Sequence, residues 1–246
     1  MFTKVNGKVV SVNLAQAGQI TARRGAMLFY TGQVWFEPHQ IPGGMGGGMG
    51  GLGGLAGMAG RMMSGEHEAT MIAQGNGTVH YGYRGLDVAV VELGAGGGAN
   101  QFGPGGEMRV EASRLLAYSQ GLQATIVSTT SSGVGVGGGG RGGGLMGALR
   151  SAAGSMATGQ GMFTTQLTGA GSAVILGHGG FIELPVSPNR PLTVDPQAFA
   201  ASVGQIQTSL RSTVSLRNMG RTGGEGFQLD CTGQGVVYVQ ASEHRL

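Results

Sequence analysis

Histidine and carboxylate side chains are the first candidates for chemistry in this 246-residue chain, because together they bind transition metals. The densest group is Glu66-His67-Glu68, and the five histidines are otherwise dispersed, with no His-x-His pair. Neighbouring residues of a strand point to opposite faces, so these three side chains cannot converge on one ion from a regular strand. The sequence therefore predicts an exposed edge or loop here and no resident metal, with a cupin-like metalloenzyme as an alternative.

The only cysteine, Cys231, is the one candidate thiol nucleophile. It lies four residues before Gly235, as Leu167 lies before Gly171 and Ala73 before Gly77. This placement predicts a small buried residue rather than a reactive thiol. A single cysteine also excludes an intrachain disulfide and is compatible with a reducing compartment, so we expect a cytoplasmic protein.

Glycine pairs spaced as Gly-x-Gly occur three times and are the third candidate for chemistry. A dinucleotide site needs Gly-x-Gly-x-x-Gly between a strand and a helix, whereas each pair here lies between two alternating, strand-like segments. We therefore predict that these glycines are structural, at a bulge or a close backbone approach, and that no cofactor binds. The six are Gly75, Gly77, Gly169, Gly171, Gly233 and Gly235.

The spacing of the glycines also predicts an internal repeat, because an additional glycine precedes each pair by the same interval. Apolar residues alternate on both sides of each pair, which is the period of a strand with one buried face. We predict a single all-β domain, 1–246, with pseudo-threefold symmetry. Its repeats are 64–130, 158–220, and a third that is split between 222–246 and 1–36.

The split third repeat rests on a second recurring segment. Met27-Leu28-Phe29-Tyr30 is similar to Leu115-Leu116-Ala117-Tyr118 and to Phe199-Ala200-Ala201. If the first completes the C-terminal copy, residues 5–36 should lie against residues 225–241 and close a ring. Only one or two short helices are expected, from Asp195 to about Ser202 and over 145–153.

Several of these motifs together resemble one known family, the "altered inheritance of mitochondria" proteins of mitochondrial biogenesis. They are Arg24-Gly25-Ala26-Met27-Leu28-Phe29-Tyr30, Ser64-Gly65-Glu66, Leu115-Leu116-Ala117 and the Gly-x-Gly strands. The resemblance implies a β fold like that of the tryptophan RNA-binding attenuation protein, in the double-stranded β-helix class. Members of that family have no established catalytic residues, so the resemblance implies none for this chain.

Charge gives little support to nucleic-acid binding. Only 11% of the residues are charged, the formal net charge is +3, and Arg23-Arg24 is the only adjacent basic pair. A phosphate-binding groove needs clustered basic residues. RNA or a small ligand is therefore kept only as an alternative partner.

Two glycine-rich loops are predicted, at 43–60 and 133–144. The first carries the apolar residues Met45, Met49, Leu52, Leu55 and Met58, which we predict to form an interaction loop. The resulting hypothesis is a non-catalytic scaffold, a homo-oligomer that contacts a protein partner or the surface of a membrane through this loop.

Overall fold

The computed structural model of the chain describes residues 1–41, 69–94, 107–128, 163–212, 227–243 and 246. Strands dominate these residues, so the predicted all-β class is confirmed. The attenuator-like and double-stranded β-helix assignments stay predictions. Both predicted glycine-rich loops lie outside the described residues, as does the helix expected over 145–153.

The strands fall into three consecutive groups along the chain. Group one contains β1 (Thr3–Asn6), β2 (Val9–Asn13), β3 (Ile20–Arg23), β4 (Met27–His39) and β5 (Thr70–Tyr81). Group two contains β6 (Asp87–Leu93), β7 (Glu107–Glu111), β8 (Leu115–Ser119), β9 (Leu122–Ser128), β10 (Phe163–Gly169) and β11 (Gly171–Gly177). Group three contains β12 (Phe181–Val186), β13 (Leu192–Val194), β14 (Phe199–Ser212) and β15 (Phe227–Gln240).

Helix is confined, in the described residues, to one short α-helix, α1 (Leu14–Ala17), and a 3-10 turn at Ala112–Arg114. Asn13 caps α1, because its side-chain oxygen accepts a hydrogen bond from the backbone N–H of Ala15 at 3.0 Å. Gly18 ends the helix at a φ of 73°. The apolar Leu14 is the buried residue of this turn.

Pairing follows one order in all three groups. The Gly-x-Gly strand (β5, β10–β11 or β15) pairs antiparallel on one side with a long strand that precedes it (β4, β8–β9 or β14). We call that long strand the companion strand. On its other side the Gly-x-Gly strand pairs with two short strands, which are β2 and β3, β6 and β7, or β12 and β13.

The groups are joined to each other by the second short strand and the next companion strand. β3 of group one pairs with β8 of group two, and β7 of group two pairs with β14 of group three. These junctions produce two sheets, in the orders β1-β2-β5-β3-β8-β11-β6 and β12-β15-β14-β7-β10-β9. β4 joins the first sheet through β5, and β13 joins the second through β15.

Among the residues that the structure describes, the buried apolar side chains form three clusters that follow these junctions. The first, around Ile20 and Leu116, contains residues of groups one and two, and the second, around Met108 and Ala201, contains residues of groups two and three. The third, around Cys231 and Val237, contains buried residues of group three alone. It has seven buried members, against sixteen and fifteen in the other two.

The predicted pairing of the two chain ends is wrong for the described strands. β15 pairs with β12, β13 and β14, whereas the N-terminal strands pair within group one and with β8. An alternating pattern identifies a strand but not its partner, and each companion strand here pairs with the Gly-x-Gly strand that follows it along the chain. The repeat boundaries themselves stay predictions.

The helix predicted from Asp195 is also wrong beyond its first turn. The Asp195 carboxylate accepts a hydrogen bond from the N–H of Gln197 at 2.7 Å, and its carbonyl oxygen accepts one from Phe199 at 3.1 Å. The chain then extends into β14, because the apolar run that begins at Phe199 is buried between β15 and β7. Tertiary pairing overrides the local capping signal.

Each of the six Gly-x-Gly glycines lies against a neighbouring strand or turn. A Cβ at Gly75 would collide with the carbonyl oxygen of Gln33 on β4, and Gly75 also has a φ of 129°, which side chains rarely adopt. A Cβ at Gly235 would collide with the carbonyl oxygen of Val203 on β14. These glycines therefore allow the companion strand to approach closely.

Candidate interaction surface

Of the nine large apolar side chains that are exposed among the described residues, five lie on β4. Five large apolar residues of this strand are 38–53% exposed, namely Met27, Leu28, Phe29, Tyr30 and Trp35. We call them the β4 surface. Exposed apolar area of this kind, gathered on one strand, is characteristic of a contact surface.

Ring contacts with β5 and within β4 fix part of this surface. The ring of Phe29 stacks on His80 at a centroid distance of 4.1 Å and an interplanar angle of 14°. Tyr30 contacts Phe36 edge to face at 5.7 Å, and the ring of Trp35 lies over Gly75. The aromatic side chains are thus held in place by their neighbours, which lowers the entropy lost when they bind a partner.

The backbone of β4 has a free edge along the same segment. Among the strands that the structure describes, β4 pairs only with β5. A long strand with an open edge presents unpaired N–H and C=O groups that a further strand can pair with. The β4 surface therefore combines apolar side chains with a hydrogen-bonding template.

The counterparts of this segment in the other groups have a different environment. All five residues of Met27–Thr31 are exposed, whereas all five residues of Leu115–Ser119 and of Phe199–Val203 are buried. β8 and β14 are covered on their outer edges by β3 and β7. A described strand covers β8 and β14, but none covers β4.

A cleft of about 360 Å³ lies where groups one and two meet. Its polar lining consists of amide and hydroxyl groups with one imidazole, and the residues are Gln19, Thr21, His39, Tyr118, Gln120, Leu122, Gln123, Ala124 and Thr125. Burial raises the pKa of Tyr118, and its hydrogen bond with Thr21 partly opposes that rise. None of the described residues that line the cleft has a carboxylate, ammonium or guanidinium group, so this lining offers mainly hydrogen bonds to a ligand.

The residues predicted from sequence as an interaction loop, Met45, Met49, Leu52, Leu55 and Met58, lie outside the described residues. Glu66-His67-Glu68 lies outside them too. Within the described part of the chain, no three His, Cys, Asp or Glu side chains lie together as metal ligands would.

Cys231 is fully buried in the third cluster, as its position predicts. Burial, together with the nearby Asp230 charge, raises the pKa of its thiol to about 12. The nucleophilic form of cysteine is the thiolate, so the thiol is inert at neutral pH.

Arg23, half of the only basic pair, is also buried. Its guanidinium donates to the carbonyl oxygens of Leu115 at 3.3 Å and Ala112 at 3.1 Å, and it lies 4.9 Å from the centre of the Tyr83 ring. These contacts join groups one and two. Arg23 is therefore a structural residue, and the pair does not form a basic patch.

Sequence reasoning missed the β4 surface, although it singled out Met27–Tyr30 as a recurring apolar segment. Such a segment is ordinarily a buried strand, and burial depends on the neighbouring strand rather than on the segment itself. The one signal available was the concentration of aromatic residues, which includes Trp35, the only tryptophan of the chain.

No helix in the described parts of the chain has the length and apolar character needed to cross a membrane.

Comparison with known proteins gives a family and a fold. No curated protein matches the chain. The crystal structure of a Streptococcus pyogenes protein superposes with a TM-score of 0.61 at 16% sequence identity, covering 98% of this chain and 92% of that one. This likeness concerns the fold alone. The sequence model described as mitochondrial biogenesis AIM24 matches residues 2–242, and the chain therefore belongs to that family.

Proposed function

We propose that this protein is a non-catalytic β scaffold that associates with further copies of itself through the β4 surface. The observation that carries the proposal is the exposure of five large apolar side chains on one strand with a free edge. Soluble proteins rarely leave such a strand uncovered, because it promotes association.

The chemistry of the other candidate residues supports the same assignment. The Cys231 thiol is buried and Arg23 is used in carbonyl contacts. The described lining of the cleft beside Tyr118 contains no carboxylate, ammonium or guanidinium group. The RNA-binding alternative draws less support, since phosphate contacts require accessible basic side chains.

Light scattering on the full chain over a dilution series tests this proposal. We expect an oligomer that dissociates on dilution. Phe29→Lys should weaken the association at least about tenfold, because it places a charge in a contact that excludes water. Ile182→Lys is the matched control, since Ile182 is 51% exposed against 53% for Phe29 but lies on β12.

Two results would contradict the proposal. One is a monomer at every concentration, and the other is a Phe29→Lys protein that associates as strongly as the Ile182→Lys control. Deletion of residues 43–60 in the same assay separates the β4 surface from the predicted interaction loop. Light scattering with lipid vesicles reports whether the loop contacts a membrane.

A further inference from the structure

The two junctions between groups are of one kind, and a third junction of that kind is absent among the described strands. β3 pairs with β8, and β7 pairs with β14, so the second short strand of a group covers the companion strand of the next. The second short strand of group three is β13, and the companion strand of group one is β4. Among the described strands, β13 pairs only with β15 and β4 only with β5.

The two existing junctions have the same register when the second glycine of each pair is the reference. Ala22 is opposite Ala117, and Val110 is opposite Ala201. Ala117 and Ala201 each pair with the residue three positions after that glycine, which is Val174 or Tyr238. Both junctions therefore have one register, and the same register can be applied to β13 and β4.

Transferred to the free strands, this register defines a specific pairing. The residue of β4 opposite His80, three positions after Gly77, is Phe29. The residue of β13 equivalent to Val110 is Val194. The register therefore places Phe29 opposite Val194, and it places Tyr30 opposite Thr193.

We infer that β4 of one copy of this chain pairs antiparallel with β13 of a second copy, with Tyr30 opposite Thr193. This inference rests on the proposed self-association, and it identifies β13 of the second copy as the strand that the β4 surface contacts. Both strands lack charged residues over the paired segment, so no like charges are brought together.

The third buried cluster is consistent with a missing neighbour. The first and second clusters each draw buried residues from two groups, whereas the third draws them from group three alone. Val194 belongs to this third cluster. A β4 strand beside β13 would give this cluster its second group.

A second copy is the occupant because no described strand of the same chain pairs with the open edge of β4 or of β13. Two edges of one chain that could reach each other would pair readily, since their effective concentration is high. In the structure Met27–Tyr30 remains exposed, so this intrachain contact is not made. β4 and β13 are different surfaces, so the contact is head to tail and leads to a ring or a chain of copies.

Cysteine cross-linking tests the pairing in a Cys231→Ala background. One protein carries Tyr30→Cys and the other carries Thr193→Cys, and both sites are exposed, so neither substitution opens the core. Directly opposed residues of antiparallel strands lie within disulfide range. We expect the mixture to double in apparent mass on a non-reducing gel, and each protein alone to run as a monomer.

Leu210→Cys mixed with Thr193→Cys is the control, since Leu210 is exposed on β14, away from the paired edge. A disulfide in Tyr30→Cys alone would overturn the inference, because it indicates β4 against β4. An intrachain disulfide in the Tyr30→Cys/Thr193→Cys protein would also overturn it. If light scattering shows an oligomer but the mixture does not cross-link, this inference fails and the proposed self-association stands. A monomer by light scattering contradicts both.

Discussion

The first five residues of β4 and those of β8 and β14 have similar apolar character, the same place in their strand groups and opposite environments. Met27–Thr31 is exposed, while Leu115–Ser119 and Phe199–Val203 are buried. The difference arises from the second edge, which β3 or β7 covers in the latter two. Burial in this fold is therefore decided by the neighbouring group, and a strand of core composition can become a surface when that neighbour is missing.

The largest expected effect compares Leu116 with Leu28, which occupy the same position of β8 and β4. Leu116→Ala should lower the free energy of unfolding by about 3 kcal/mol, because it opens a cavity in a fully buried site. Leu28→Ala should cost less than about 0.5 kcal/mol. Urea denaturation of dilute protein measures both free energies of unfolding, and equal losses would show that Leu28 is covered as Leu116 is.

A second comparison uses the glycines beneath the companion strands. A Cβ at Gly235 would collide with the carbonyl oxygen of Val203, and one at Gly77 with that of Thr31. Val203 is held between β15 and β7, whereas β5 is the only described strand that pairs with β4. We expect Gly235→Ala to cost about 3 kcal/mol and Gly77→Ala about 1 kcal/mol in thermal unfolding. The reverse order would mean that β4 is as firmly held as β14.

Cys231, opposite Leu192 of β13, extends the comparison to the other open edge. Its pKa is raised from 9.0 to about 12, so the folded state binds the proton more tightly than the unfolded state does. The resulting stability is fully present below pH 9 and is lost as the pH rises towards 12. We expect the native chain to lose at most about 1.4 kcal/mol per pH unit relative to Cys231→Ala in this range.

Urea unfolding of the two proteins at pH 8, 9 and 10 measures this difference. If the free energy of unfolding changes with pH equally in the two proteins, the thiol is solvated and β13 opens readily.

The smallest expected effect concerns Tyr81, which lies opposite Met27 of β4. Its hydroxyl is buried without a hydrogen-bond partner among the described residues, and burial raises its pKa. A buried hydroxyl without a partner is unfavourable, so Tyr81→Phe should raise the free energy of unfolding by about 0.5 kcal/mol. A loss of stability would indicate that the hydroxyl has found a partner, and Tyr83→Phe in the same unfolding assay is the control.

Much of the strand content could be predicted from the sequence. Alternation around Gly77 and Gly235 identifies β5 and β15, and the position of Cys231 correctly predicts its burial. These signals are local, because a strand with one buried face shows its period in its own residues.

The strand pairing and the candidate surface could not be predicted in the same way. The strand that pairs with Met27–Tyr30 is β5, which follows only after a long connection. The Gly-x-Gly pattern of β15 is the same as that of β5, so the sequence does not show which of the two is the partner. At Asp195 the cap signal is genuine, but it initiates only one turn before pairing with β15 takes over. Phe29 is exposed because no described strand covers the second edge of β4, as β3 covers β8 and β7 covers β14. The sequence of one segment does not contain this information.

The long connection between β4 and β5 has a consequence for how the strands are aligned. A hairpin usually takes its alignment from a short turn, but here 30 residues separate His39 from Thr70. Gly32 lies opposite Gly77 and Gly204 opposite Gly235, where the backbones approach too closely for a side chain. A shift of the pairing by one residue would bring a side chain into that space, so these glycines fix the register of the two strands. The length of the connection is then free to change without altering the sheet.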